Sequence, residues 1–341
     1  MPEPTRVALA LGSGGARGYA HIGVIQVLQE RGYDIVSVAG SSMGAAIGGL
    51  FAAGVLPAYT DWVRTLTQRD VLRLLDPTLK APGAIRAEKI MSRVSELLGG
   101  VRIEDLPIAY TAVAADLLSH REVWFQDGPV DVAIRASIAL PSFITPVMLN
   151  GRLLADGGLL NPVPVAPTAA SRADLTIAVL LSGNSSAGAA TPQLASAETQ
   201  PSEEWLGRFR RTAAQVLDRD VVRMIIRRFS GSRVPEPETA AGQAVEEVFG
   251  ELPAGLRMFD VMQLSLDTMQ SLVADYRLAA YPADVYVRVP KDAARVLDFH
   301  RADELITLGR RQAIAALDGS STAGRDGTGL DERANDRLSP L

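Results

Sequence analysis

The chain has 341 residues, 47% of them hydrophobic, enough for one large α/β domain or two smaller ones with a full core. It contains no cysteine and only three histidines, His21, His120 and His300; disulfides, thiolate chemistry and cysteine-based zinc sites are excluded, and little is left for a histidine-built metal centre. A net charge of −5 argues against general nucleic-acid binding, which needs a basic surface.

The N-terminus lacks the basic region and long apolar run of a signal peptide. No apolar stretch approaches the roughly 18–20 residues of a membrane span. The expectation is a soluble, cytoplasmic protein whose membrane contact, if any, is peripheral.

Arg6–Leu11 reads as a buried strand, Gly12–Gly18 as a glycine-rich turn, and Tyr19–Arg31 as a helix with apolar residues at helical spacing. Asp34–Ala39 is a second strand, followed by Gly40–Gly44 and a small-residue helix, Ala45–Ala53. Helices are expected over Pro57–Leu75 and Arg86–Leu98. Further strands are expected at Ile108–Ala115, Glu122–Gln126, Arg152–Ala155 and Leu175–Leu181. Strands alternating with helices imply a mostly parallel sheet covered on both faces.

Composition changes at Ser182. Ser182–Pro201 and Gly231–Gly242 read as loops, with a helical segment, Glu203–Phe229, between them. Leu256–Leu278 reads as a long helix, Asp284–Val289 as a strand and Arg301–Leu317 as a closing helix. Gly319–Leu341, without aromatics, reads as a disordered tail. The expected organisation is one domain over 1–318, interrupted by an insertion at 183–254, then a tail at 319–341.

Three segments carry chemistry. Gly40-Ser41-Ser42-Met43-Gly44 is a G-x-S-x-G sequence between an expected strand and an expected helix, the context a nucleophile elbow requires. The sharp turn needs small flanking residues, here Gly40 and Gly44, and lifts the Ser42 hydroxyl to a helix N-terminus that favours developing negative charge. The alternative is a glycine turn with an incidental serine. Gly12-Ser13-Gly14-Gly15-Ala16-Arg17-Gly18 follows a strand and opens a helix, so its backbone N–H groups can converge on an anion. A dinucleotide-binding turn is the competing reading, with Asp34 at the distance of a ribose acid. That fingerprint needs glycine at position 17, where Arg17 stands. Asp156-Gly157-Gly158 closes an expected strand, and its glycines can fix the direction of the carboxylate; by itself it reads more readily as an ordinary turn aspartate.

Gly14-Gly15-Ala16-Arg17-Gly18, Gly40-Ser41-Ser42-Met43-Gly44, Ala136-Ser137-Ile138-Ala139-Leu140-Pro141 and Asp156-Gly157-Gly158, in that order and spacing, resemble the patatin-like phospholipases. The likeness is to the bacterial members related to the neuropathy-target-esterase catalytic domain. It spans Val7–Ser182, continues more weakly over Leu256–Leu317, and omits the insertion. It implies a three-layer α/β fold with a mostly parallel central sheet and a variable helical insertion. The implied activity is a carboxylic ester hydrolase acting on lipid acyl esters, with neither metal nor cofactor. Ser42 would be the nucleophile and Asp156 its catalytic partner, and backbone N–H groups of Gly14, Gly15 and Ala16 would form the oxyanion hole. Arg17 would be a positioning residue facing a carboxylate or a phospholipid phosphate, and Gly18, Gly40, Gly44, Gly157 and Gly158 would support the turns. Ala136–Pro141 would shape the pocket wall, with Ser137 structural.

Ser42, Asp156 and His300 also stand in the chain order of an α/β-hydrolase triad, so a histidine base is an alternative to the dyad. His21 is expected to pack. Two rivals to hydrolysis are transfer of the acyl group to another acceptor and a silent lipid-binding protein. Within the insertion, Trp205–Phe229 carries seven arginines against two aspartates, a local charge of +5, beside an apolar stripe. Such a helix suits an anionic membrane surface or a lid, or docks with its charged face in water.

Overall fold

The computed structural model describes residues 3–74, 83–85, 87–183 and 258–323. The chain divides into two compact units, Met1–Ser186 with Leu264–Leu341, and Ala187–Gln263. Of the second, only residues 258–263 are described, and they are helical. The elements in chain order are β1 (Arg6–Leu11), α1 (Ala20–Glu30), β2 (Asp34–Ser41), α2 (Met43–Ala52), α3 (Leu56–Arg64), α4 (Gln68–Leu74), β3 (Gly83–Ile85), α5 (Glu88–Leu98) and β4 (Ala109–Asp116). There follow β5 (Arg121–Phe125), α6 (Val130–Ser137), β6 (Ser142–Ile144), β7 (Val147–Leu149), β8 (Arg152–Asp156), β9 (Leu175–Gly183), α7 (Met258–Ala280), β10 (Val285–Pro290) and α8 (Ala302–Ala323).

The main sheet runs β10-β9-β1-β2-β4-β8-β7, with β5 also paired to β4. The pairs from β10 to β4 are parallel; β8, β7 and β5 add antiparallel pairs. Alternation sorts the side chains onto two faces. Leu9 and Leu11 of β1, with Ile177, Val179 and Leu181 of β9, join a core shared with α1, α2 and α8. Ala10, Ala178 and Leu180 point the other way, onto Ala274 and Leu278 of α7 and onto Val163 and Val165. The result is a three-layer α/β fold. Six of the ten α2 residues are glycine or alanine, which lets the helix approach the sheet closely, and the Tyr110 hydroxyl donates to the Ala45 carbonyl at 2.7 Å.

The structure departs from the sequence expectations at several places, among them the unanticipated two-stranded sheet of β3 and β6. The helix expected over Pro57–Leu75 is two helices, because Thr67 and Asp70 form a reciprocal N-cap: the Thr67 N–H and hydroxyl donate to Asp70 at 3.1 and 2.6 Å, and the Asp70 N–H donates to Thr67 Oγ1 at 3.3 Å. An unanticipated hairpin joins β7 to β8 through Asn150 and Gly151, both at positive φ (50° and 76°), the requirement of a two-residue turn. The short helix α6 was not anticipated either. The closing helix runs on to Ala323, so Gly319–Ala323 are helical where a disordered tail was expected. Nearly all of 183–254, including the expected helix Glu203–Phe229, and residues 324–341 lie outside the described residues.

Candidate active site

Ser42 stands between the last residue of β2 and the first of α2 with φ 56° and ψ −124°, a conformation a non-glycine residue adopts only when its surroundings impose it. The surroundings are tight. A Cβ on Gly44 would lie 2.0 Å from the Leu11 carbonyl oxygen, and one on Gly40 would lie 2.3 Å from the Gly44 carbonyl carbon. The Ser42 N–H donates to Ser137 Oγ at 2.9 Å, and that hydroxyl donates to the Val113 carbonyl at 2.5 Å. Ser137, fully buried at the end of α6, thus pins the elbow to β4.

The register of β4 explains how Asp156 arrives. Strand β5 occupies one edge of β4 along Ala112–Asp116, so β2 and β8 must share the other. Strand β2 ends with Ser41 opposite Val113, and β8 ends with Asp156 opposite Ala114. Their carboxyl ends therefore meet head-on. The Ser42 hydroxyl donates to Asp156 Oδ2 at 2.5 Å, and the Gly158 N–H donates to Oδ1 at 2.7 Å. A Cβ on Gly157 would fall 2.0 Å from the Val113 carbonyl oxygen, and one on Gly158 would fall 2.4 Å from Ser13 Oγ, so both glycines are there for close approach. Asp156 is fully buried, and burial pushes its carboxyl up to about 6 against the pull of the two hydrogen bonds.

The glycine-rich loop lies at the carboxyl end of β1, where the strand order reverses. Gly18 packs against Met43, the first residue of α2; a Cβ there would lie 2.3 Å from that of Met43. The Gly12 N–H donates to the Val179 carbonyl at 3.0 Å and that of Ser13 to the Pro162 carbonyl at 2.8 Å. Ala16, expected among the anion-binding donors, instead gives its N–H to the Val296 carbonyl at 2.9 Å and leaves that set. Among the described residues, the Gly14 and Gly15 N–H groups meet no acceptor.

Arg17 is buried. Its Nε donates to the Gly14 carbonyl at 3.3 Å and its terminal NH1 to the Lys291 carbonyl at 3.1 Å. In a trans peptide the C=O of Gly14 and the N–H of Gly15 point in opposite directions, so the guanidinium also aims that free N–H. Burial lowers the Arg17 pKa, against the opposing charge of Asp267 on α7. The hydrogen-bond partners of Arg17 in the fold are thus two carbonyls, with Asp267 acting on it through its charge.

His21 is fully buried beneath the loop, its Nε2 2.8 Å from the Gly12 carbonyl. A carbonyl only accepts, so Nε2 carries the hydrogen. Burial pushes the ring down to about 4 and keeps it neutral. No histidine is hydrogen-bonded to Ser42 or Asp156: the serine hydroxyl goes to the carboxylate, and both carboxylate oxygens are engaged. His300 has a buried Nδ1 without a partner, and His120 sits in the β4–β5 turn at φ 57°. The triad order is present in the chain but is not assembled. Among the described residues there is no group of three or more His, Asp or Glu that could hold a metal, and no helix long and apolar enough to cross a membrane.

Sequence reasoning gave no role to Asn161, which is buried beside this pair. Its carbonyl accepts the Ser41 hydroxyl at 2.6 Å, its N–H donates to the Gly157 carbonyl at 2.9 Å and its Nδ2 donates to Glu122 at 2.8 Å. Its position five residues after Asp156 was the only signal.

A serine strained at a strand-to-helix turn, with its hydroxyl held by a buried carboxylate, is the arrangement of the serine acyl hydrolases. The family model for "Patatin-like phospholipase" matches residues 9–169. An uncharacterized NTE family protein of Mycobacterium tuberculosis is 52% identical over 334 residues, covering 92% of this chain and 91% of that protein. The chain belongs to the patatin-like phospholipase family, within its NTE group. The neuropathy target esterase sws of Drosophila persimilis is 33% identical over 165 residues, 46% of this chain but 11% of that protein. The crystal structure of VipD from Legionella pneumophila aligns with 94% of this chain and 67% of that one, at a TM-score of 0.48 and 15% identity. At the level of the family, the protein is a lipid acyl hydrolase.

Proposed function

We propose that this protein hydrolyses carboxylic esters of phospholipids, lysophospholipids or simpler acyl lipids through an acyl-enzyme on Ser42, with Asp156 as its base. The observation that carries the reading is the 2.5 Å hydrogen bond from the strained serine to a buried carboxyl raised to about 6. An ordinary aspartate, near 3.9, is a poor base for a hydroxyl. A carboxyl near 6 is a better one and is still ionised at neutral pH.

Ser42 Oγ attacks the acyl carbonyl carbon while its proton passes to Asp156 Oδ2. The carbonyl oxygen, now an oxyanion, takes the free N–H groups of Gly14 and Gly15 and the positive N-terminal end of α2. Collapse breaks the ester C–O bond, and Asp156 returns the proton to the leaving alcohol oxygen. A water then attacks the acyl-enzyme and gives a proton to Asp156. The Ser42 Oγ–carbon bond breaks, the proton returns to Oγ, and the carboxylic acid departs.

Fluorophosphonate labelling, with turnover of p-nitrophenyl esters and defined phospholipids, tests this. The wild type should label and turn over, whereas Ser42→Ala should do neither while keeping its circular dichroism. Near-normal turnover by that variant ends the reading.

A further inference from the structure

The elbow, the Asp156 turn and the glycine-rich loop come from three separate stretches of chain, and the dipeptide Asn161-Pro162 is hydrogen-bonded to all three. The Asn161 carbonyl accepts the hydroxyl of Ser41, the residue before the nucleophile, at 2.6 Å. The Asn161 N–H donates to the Gly157 carbonyl at 2.9 Å, in the turn that carries Asp156. The Pro162 carbonyl accepts the Ser13 N–H of the glycine-rich loop at 2.8 Å. On the Asn161-Pro162 side all three bonds are made by backbone atoms, so the path of this backbone sets where the three segments lie relative to one another.

The Asn161 side chain ties that backbone down. It is buried, and its Nδ2 donates to Glu122 Oε2 at 2.8 Å, whereas its Oδ1 meets no donor among the described residues. Glu122 lies opposite Ala115 and Asp156 opposite the adjacent Ala114, so strand alternation puts Glu122 on the far face of the sheet. Glu122 is itself held from two sides. Its Oε1 takes Arg277 of α7 at 2.6 Å, and its Oε2 also takes the Trp124 indole N–H at 2.9 Å. Just past Pro162, Val163 and Val165 pack with Ala274 and Leu278 of the same α7. A charge-assisted hydrogen bond out of contact with bulk water is a strong anchor.

We propose that Asn161, anchored through its side chain to Glu122, is a positioning residue that sets the elbow, the Asp156 turn and the oxyanion loop at their working distances. The rate then depends on Glu122 although it stands across the sheet from the nucleophile. The kinetic consequence rests on the hydrolase reading. Full-length Asn161→Leu, Glu122→Leu, Glu122→Gln and the double leucine variant are compared with the wild type. Leucine matches asparagine in size and removes the unpaired Oδ1 together with Nδ2, while Glu122 keeps Arg277 and Trp124, so the melting temperature of Asn161→Leu should hold. Both single leucine variants should show kcat about ten-fold lower per fluorophosphonate-labelled site, with KM for a soluble ester unchanged. Glu122→Gln keeps an acceptor for Nδ2 and should keep most of kcat. The double variant should lose no more than either single one, because both break the same bond. Wild-type kcat in Asn161→Leu, equal damage by glutamine and leucine at 122, or additive losses in the double variant overturns the proposal. A second arm needs no turnover. Burial, the Ser42 hydroxyl and the Gly158 N–H act on the Asp156 carboxyl, and among the described residues no charged side chain does. Its carbon-13 resonance, identified by its absence in Asp156→Asn, should titrate at higher pH in Asn161→Leu as the pull of the Ser42 hydroxyl weakens. An unmoved titration overturns the proposal. A wild type that neither labels nor turns over ends the hydrolase reading instead, and the titration still decides the positioning.

Discussion

Ser42 and Asp156 are 114 residues apart in the chain, yet the serine hydroxyl reaches the carboxylate at 2.5 Å. Neither strand end reaches the other unaided. Each is fastened to β4, at Val113 and Ala114, and these adjacent residues bring two chain reversals together. Asp156 is thereby sealed from water, which sets its chemistry.

The first prediction concerns pH. If Asp156 takes the serine proton, fluorophosphonate labelling should follow its ionised form, rising through a midpoint near pH 6 and levelling above pH 7. A rate profile from pH 4 to 9 on the full chain checks this. A midpoint at the ordinary carboxylate value, about 3.9, would remove Asp156 from that role.

Asp156→Asn should separate activity from stability. Turnover should fall by about 10⁴-fold, as for other groups acting as a unit with a serine nucleophile. Stability should move the other way at neutral pH. The native carboxyl, near 6, lies above its ordinary 3.8, so the folded state holds the proton more tightly than the unfolded chain. The ionised carboxylate therefore costs stability as pH rises from about 4 to about 6. The shift of about two units corresponds to about 3 kcal/mol at pH 7, and this cost vanishes below pH 4. Denaturation of wild type and variant at pH 7 and pH 3.5 measures it. His300→Ala should keep most activity; a loss matching that of Asp156→Asn, with the fold intact, would restore the triad.

Ser137→Ala removes a hydroxyl that satisfies both the Ser42 N–H and the Val113 carbonyl. Leaving those buried groups unpaired should cost about 1–3 kcal/mol each. Because the strained elbow relaxes, kcat should fall about ten-fold or more while KM changes little. Urea midpoints and steady-state kinetics on a soluble ester report the two effects.

Gly15→Ala tests the free N–H groups. Gly15 sits at φ 56°, and a Cβ there would lie 2.6 Å from the Val296 carbonyl oxygen, so the loop must shift. Losing one oxyanion donor should lower kcat by about 10²-fold. Gly32→Ala is the control: its φ is 76° but open space surrounds it, so it should lose about 1 kcal/mol of stability and no activity. Equal kinetics for the two variants would take Gly15 out of the site.

The arginine-rich segment 205–229 is proposed to promote contact with anionic vesicles. Replacing Arg210, Arg211, Arg227 and Arg228 by glutamine should weaken co-sedimentation by up to about 1 kcal/mol per charge at low salt. Above about 0.1 M salt, where screening falls to about 10 Å, the difference should shrink. Hydrolysis of a soluble ester should hold. Equal binding by both proteins at low salt would remove the segment from any membrane role.

What the sequence determines here is what neighbouring residues decide among themselves. Arg6–Leu11 is a strand and Ser42 an elbow because a buried apolar run and two flanking glycines constrain the backbone on the spot. Two local signals were equally present but not read as such, the Thr67–Asp70 cap and the Asn150-Gly151 turn. Asp156 was legible only as one of several ordered motifs, since an aspartate before two glycines is by itself an ordinary turn. Its pairing with Ser42, the rise of its pKa, the loss of the Ala16 N–H to Val296 and the anchoring of Ser42 by Ser137 belong to the tertiary structure. Each joins segments tens to hundreds of residues apart. Such contacts depend on strand register and on which groups lose water, and both are settled by the packing of the whole sheet.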